Sequence, residues 1–219
     1  MTHYLIEFRF SGYAKKYLKE LIYGVSRKFN VRGVTRHRTV PHISLVGPFY
    51  TTQERRLVSE FARIVSNYEL VGFKIKGFGK FGNWLFGNRV IYVNIEPSKE
   101  LGEMRRELSK SLQDFCKLKP YDYKSDFHFH ATIAFKDISG NAGDILKHLK
   151  SLPEPDINQY LLRVTIIKNK KILCEYDLMQ KRLLTRFQAK NKKMFTKTIK
   201  LLQERQSTLP TNQQEKISD

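Results

Sequence analysis

The sequence predicts an α+β protein built from two related halves. Segments with the two-residue period of strands are separated by longer segments with the 3.6-residue period of helices. The order strand, helix, histidine strand, helix in the first half is echoed in the second by a histidine strand followed by a helix and a strand. The two histidine strands lie 88 residues apart, from His42 to His130. That spacing suits one half of a duplicated fold of 219 residues, long enough for a substantial core.

Each element has its own signal. Residues 3–10 read as a strand. Residues 13–29 read as an amphipathic helix, with Tyr17, Leu18, Leu21, Ile22 and Val25 on one face. Residues 30–39 form a basic loop around Gly33, and residues 40–46 the first histidine strand, ended by Gly47-Pro48. A helix over 52–67 is capped by Thr51 or Thr52. Residues 70–78, 84–86 and 90–95 read as consecutive antiparallel strands with glycine turns between them. Pro97-Ser98 opens a helix to about residue 117. Residues 127–135 are the second histidine strand and 143–149 a short helix. Residues 160–168 and 171–177 form a hairpin around Asn169-Lys170. Residues 1–180 thus form the body. From Lys181 to about residue 205, cations interleave with Leu183, Leu184, Phe187, Met194, Phe195, Ile199 and Leu202, which reads as a basic amphipathic helix docked on it. A polar, disordered tail is expected over 206–219.

The formal charge is +19, with 40 basic against 21 acidic residues. Such a surface attracts polyanions, whether nucleic acid or anionic membrane. Cys116 and Cys174 have no paired spacing, which argues against a disulfide framework and for a reducing compartment. No apolar run approaches the roughly 20 residues needed to span a bilayer, and the start carries no signal-peptide pattern. A soluble, cytoplasmic monomer without membrane partner is the expectation. The histidines lack carboxylate or cysteine companions at ligand spacing, and no phosphate-binding glycine loop precedes a helix. Neither a metal nor a cofactor is expected, and a nucleotide-dependent ligase is disfavoured.

The chemistry lies in two short segments, Pro41-His42-Ile43-Ser44-Leu45-Val46 and His128-Phe129-His130-Ala131-Thr132-Ile133. Residues i and i+2 of a strand share a face. His42 and Ser44 therefore point together, as do His130 and Thr132. Two imidazoles and two hydroxyls converging on one cleft supply a base, an acid and two donors, the set needed to cleave a phosphodiester. The same pattern also fits structural histidines with satisfied hydrogen bonds. A third match, His37-Arg38-Thr39, lacks apolar alternation and reads as loop.

These segments, with Gly47-Pro48-Phe49 after the first and Val164–Asp177 as a closing hairpin, resemble the paired signatures of the two-histidine phosphoesterase superfamily. The branch they resemble is the 2′-5′ RNA ligase-like, or RNA 2′,3′-cyclic phosphodiesterase, group. The resemblance covers about residues 4–178. It implies a bilobal α+β fold in which two antiparallel sheets face a central cleft, with helices outside and a pseudo-twofold relating the lobes. It implies a metal-independent enzyme that hydrolyses a 2′,3′-cyclic phosphate at an RNA end to a 2′-phosphate, with reversible 2′-5′ ligation as a companion activity. His42 and His130 are then the catalytic pair, and Ser44 and Thr132 bind phosphate. Where some relatives place an arginine after the second motif, Ala134-Phe135-Lys136 follows, and Lys136 is a candidate for that charge. His128, sharing a face with His130, could extend the site. Phe49, Tyr123 and Trp84 are candidate base-stacking groups. Two other readings fit: a non-catalytic RNA-binding module, and a phosphodiesterase acting on 2′-5′ oligonucleotides or a small cyclic phosphate.

Overall fold

The computed structural model describes residues 2–36, 39–82, 90–138 and 140–208. Strand β1 (His3–Arg9) leads through helix α1 (Gly12–Phe29) to strand β2 (His42–Tyr50) and helix α2 (Glu54–Val65). The second half repeats this course. Strand β4 (Val90–Pro97) leads through helix α3 (Lys99–Leu112) and a 3₁₀ turn (Pro120–Tyr123) to strand β5 (His130–Phe135) and helix α4 (Ala142–Lys150). Between the halves lies strand β3 (Val71–Phe81). Strands β6 (Asp156–Leu161), β7 (Arg163–Lys168), β8 (Lys171–Asp177) and β9 (Arg182–Thr185) follow, then helices α5 (Arg186–Ala189) and α6 (Lys192–Thr208).

The strands make two antiparallel sheets, ordered β2-β1-β7-β8-β9 and β5-β4-β3-β6. The histidine strands β2 and β5 are each the edge of their own sheet, and the two edges pack against one another. The pseudo-twofold is visible in register. Arg9 and Glu7 of β1 lie opposite His42 and Ser44, and Asn94 and Tyr92 of β4 lie opposite His130 and Thr132. Alternate residues of the same strands, among them Ile6, Phe8, Ile43, Leu45, Val93, Ala131 and Ile133, point the other way and are fully buried. Their burial fixes the polar partners on the cleft face, because a one-residue slip would exchange the two sets.

Three expectations need correction. Gly47-Pro48 does not end the first histidine strand, which runs on to Tyr50. A register irregularity between Tyr4 and Ile6 lies opposite this dipeptide, and on an edge strand the missing proline N–H need cost no ladder bond. Residues 160–168 are not one strand. Leu161 ends β6, which pairs with β3 in the second sheet, and Arg163 begins β7, which pairs with β1 in the first. Leu161 and Leu162 are both buried, so no polar residue marks the crossing. Residues 181–205 are not one helix either: strand β9 and the short α5 come before α6. The Leu183-Leu184 pair alternates as a strand does, with Leu184 fully buried and Leu183 exposed, and completes the first sheet. Helix α6 covers Lys192–Thr208 and so runs three residues into the expected tail. The expected strand over 84–86 and most of the expected tail lie outside the described residues. Cys116 and Cys174 are buried free thiols.

Candidate functional site

Both sequence motifs open into one cleft between the sheets. A cavity of about 210 Å³ is lined by His42, His130, Thr132, Val90, Val40 and Phe135 among others. It adjoins a second, of about 420 Å³, that shares His42, Val40 and Phe135 and runs along β1 past Arg9, Glu7 and His3 to Lys170. Ser44 is half-buried on the same strand face as His42 but lines neither cavity.

The two imidazoles are held alike. His42 Nδ1 lies 2.9 Å from the carbonyl oxygen of Val40, and His130 Nδ1 lies 3.0 Å from that of His128. A carbonyl only accepts, so Nδ1 donates in both rings and Nε2 is the atom left for chemistry. Each histidine is thus tied to the backbone two residues before it, on either side of the pseudo-twofold.

Their surroundings differ. His42 Nε2 lies 3.8 Å from Oε2 of Glu7, whose carboxylate is 5% exposed and also lies 3.2 Å from Nε of Arg9. Burial raises the Glu7 pKa, opposed by the charges of His42 and Arg9. His130 has an aromatic setting. Its ring centroid is 4.9 Å from that of Phe81 and 5.3 Å from that of Tyr92. His128 completes the group, 5.0 Å from Tyr92 and 5.1 Å from Phe81. Burial pushes the His130 pKa down; the Nδ1 bond to His128 opposes this, and the charges of His128 and His42 reinforce it. Gly79, the register partner of Tyr92, makes the aromatic wall possible, since a Cβ there would sit 2.5 Å from the tyrosine ring.

A loop roofs the cleft. Asp137, just after β5, accepts the backbone N–H groups of Arg32 at 2.6 Å and Gly33 at 3.0 Å. A Cβ on Gly33 would collide with the carbonyl oxygen of Phe135. Glycine is therefore what lets this loop meet the second histidine strand and carry Val34 and Val40 into the cavity lining. From the other side, Asp122 of the 3₁₀ turn accepts the Gly47 N–H at 2.9 Å, and Tyr121 donates its hydroxyl to the Gly47 carbonyl at 3.0 Å. The connection between α3 and β5 thereby clamps the irregular part of β2.

Of the remaining candidates, Phe49 must be corrected. Its ring is 0% exposed and packs on Tyr4 with centroids 5.9 Å apart, so it is core and offers no face to a base. Tyr123 is 52% exposed on the 3₁₀ turn and lines neither cavity. Lys136 is exposed in a left-handed conformation just past β5, its ammonium 5.1 Å from the ring centroid of Phe135 at the cleft edge. Trp84 and the His37-Arg38 pair lie outside the described residues. Glu7, Arg9, Phe81 and Tyr92 escaped the reading of the sequence. For the first two a signal existed: His3, Glu7 and Arg9 alternate with buried Tyr4, Ile6 and Phe8, marking a polar cleft face. Phe81 and Tyr92 had none, because aromatics in strands usually serve the core. Among the described residues no group of His, Cys, Asp or Glu side chains is arranged to hold a metal ion, and no helix is long and apolar enough to cross a membrane.

Known proteins share this architecture. The sequence pattern of the 2′-5′ RNA ligase superfamily matches residues 25–171. A solved phosphoesterase superposes with a TM-score of 0.55 at 14% identity, covering 81% of this chain and 98% of its own. Escherichia coli LigT in its apo form gives 0.53 at 16% identity, and its complex with ATP 0.52 at 15%, with the same coverage of both chains. No curated protein matches by sequence. At such identities the structural likeness speaks for the fold alone.

Proposed function

We propose, from the premise that this chain belongs to the 2′-5′ RNA ligase superfamily of phosphodiesterase-type enzymes, that it hydrolyses 2′,3′-cyclic phosphates at RNA ends. The observation that carries the reading is the convergence of His42 and His130, from different sheets, on one cavity. In-line displacement at phosphorus needs a base on one side and an acid on the other, and paired imidazoles fill both roles near neutrality.

The unequal surroundings support a division of labour. The Glu7 carboxyl lies 3.8 Å from Nε2 of His42, and in this reading His42 is the ring that gives a proton. Burial favours neutral His130, whose free Nε2 lone pair takes one. Water attacks phosphorus and passes a proton to His130. The bond from phosphorus to O3′ breaks, and O3′ receives the His42 proton. The product carries a 2′-phosphate and a 3′-hydroxyl. Ser44 and Thr132 donate hydrogen bonds to the non-bridging oxygens as charge builds. Arg9, in the register position opposite His42, adds a cation to the adjoining cavity. Phe81 and His128, packed edge to face beside His130, supply ring faces for the terminal base. If a 5′-hydroxyl replaces water, the same step joins two strands through a 2′-5′ linkage. No step asks for a metal.

The test is incubation with 2′,3′-cyclic-phosphate-ended RNA in EDTA, then location of the product phosphate. Conversion to a 2′-phosphate is expected. A 3′-phosphate would reverse the proposed polarity, and turnover confined to added divalent metal would overturn the scheme.

A further inference from the structure

The segment after the two lobes carries a basic surface that the chemistry at the cleft does not use. Between Lys181 and Arg205 stand nine basic side chains and one acidic one, Glu204. Lys181 and Arg205 pair with Glu69. Arg182, Arg186, Lys190, Lys192, Lys193, Lys197 and Lys200 make no ion pair among the described residues, although all are exposed. Amid them Phe187 is 87% exposed, on the short helix α5 whose start is held by the reciprocal capping of Thr185 and Gln188. A bare ring on a capped turn, ringed by uncompensated cations, is what a single nucleic-acid strand engages: a base on the ring, phosphates on the cations.

The position relative to the cleft follows from register. Glu7 lies opposite Thr165 of β7, and Arg163, two residues earlier, shares that face. Arg163 is where the C-terminal segment docks. Its guanidinium donates to Thr198 Oγ1 at 2.9 Å and to the Ala189 carbonyl at 3.3 Å, and it lies 5.0 Å from the Phe195 ring centroid. Gln180 donates to the Met194 carbonyl at 3.0 Å. The α5–α6 junction is therefore fastened to the same face of the first sheet as His42, two strands away, or about 10 Å. A strand whose end lies at the histidines and which continues over this face meets it. The apolar side chains of α6, Met194, Phe195, Ile199, Leu201 and Leu202, are partly buried rather than displayed as one exposed stripe. A bilayer, which needs that stripe, is the poorer occupant.

The geometry points to the α5–α6 surface, centred on Phe187, as a docking site for the single-stranded RNA body upstream of the end held in the cleft. This rests on the RNA-end reading above. The experiment compares wild type with Phe187→Ala and with the triple change Arg186→Gln, Lys190→Gln, Lys193→Gln. Binding to a labelled RNA of about ten nucleotides is followed by fluorescence anisotropy over a salt series. Turnover of a dinucleoside 2′,3′-cyclic phosphate, too short to reach the patch, is measured in parallel.

Phe187→Ala is expected to weaken oligonucleotide binding about tenfold. The triple variant should flatten the slope of log K against log salt by about 2. Dinucleotide turnover and the melting temperature should hold in both. Wild-type affinity and slope in both variants would overturn the docking site, as would binding of phosphatidylserine vesicles in place of RNA. Absence of dinucleotide turnover in wild type, with oligonucleotide binding still sensitive to the variants, would remove the enzymatic reading and leave the docking site standing.

Discussion

At the residue scale, the site is two copies of one device placed in unlike surroundings. The H-x-[ST] pairs and their shared strand faces are legible in the sequence because a period of two needs only local spacing. The asymmetry between the copies is not legible. It comes from Glu7 on one neighbouring strand and Tyr92 on another, brought opposite the motifs by pairings that no local pattern announces. It has measurable consequences. Because burial lowers the His130 pKa, its neutral, proton-accepting form persists to lower pH than in free imidazole. The acidic limb of kcat/KM is expected below about 6.5. His128→Gln removes a like charge that pushes the same way, so that limb should move upward; a pH–rate profile that stays put or moves down would contradict this. Glu7→Gln should lower kcat about tenfold, because it removes the carboxyl that stands 3.8 Å from Nε2 of His42. The Glu7 pKa is raised on folding, so the stability its carboxyl contributes is present at low pH and lost as pH rises through its folded value. Glu7→Gln should therefore not lower the melting temperature at neutral pH, which separates its effect on turnover from any effect on folding.

At the element scale, helices with amphipathic stripes were readable within a few residues, as α1 over Gly12–Phe29 shows. The hairpin of β7 and β8 was readable too, and Asn169 and Lys170 have the positive φ values, 46° and 66°, that a tight two-residue turn asks of both positions. What failed were places where sheet context overrides a local stop or start. Gly47-Pro48 is carried through because β2 is an edge strand. The boundary between β6 and β7 is hidden because both flanking leucines are buried. The roofing loop shows the same dependence on context. Gly33 reads from sequence as a turn glycine, yet its role is a close approach to the Phe135 carbonyl. Gly33→Ala and Asp137→Ala should each raise KM for a cyclic-phosphate RNA several-fold, because each frees the loop from β5. Steady-state kinetics with unchanged KM in both would show that the loop does not shape the cleft. By contrast Phe49→Ala is a stability change, expected to cost about 3–5 kcal/mol in a urea melt, since it empties a fully buried site.

At the scale of the whole molecule, a strand–helix–strand–helix course is used twice, and each use ends its sheet on a histidine strand. Packing the two edges side by side turns one weak local pattern into a two-sided site. His42 and His130 become neighbours in a cavity although 88 residues separate them in sequence. The excess of 40 basic over 21 acidic side chains acts over longer distances, and association with an RNA longer than the cleft should weaken steeply as salt rises. Turnover in this scheme depends on the two imidazoles working as a pair on one phosphate. The most direct measurement is single-turnover cleavage of 2′,3′-cyclic-phosphate-ended RNA by wild type, His42→Ala and His130→Ala, with melting curves to show that each variant is folded. The prediction is a loss of about 10²- to 10⁴-fold in each single variant. A folded variant of either histidine that cleaves at the wild-type rate would contradict it.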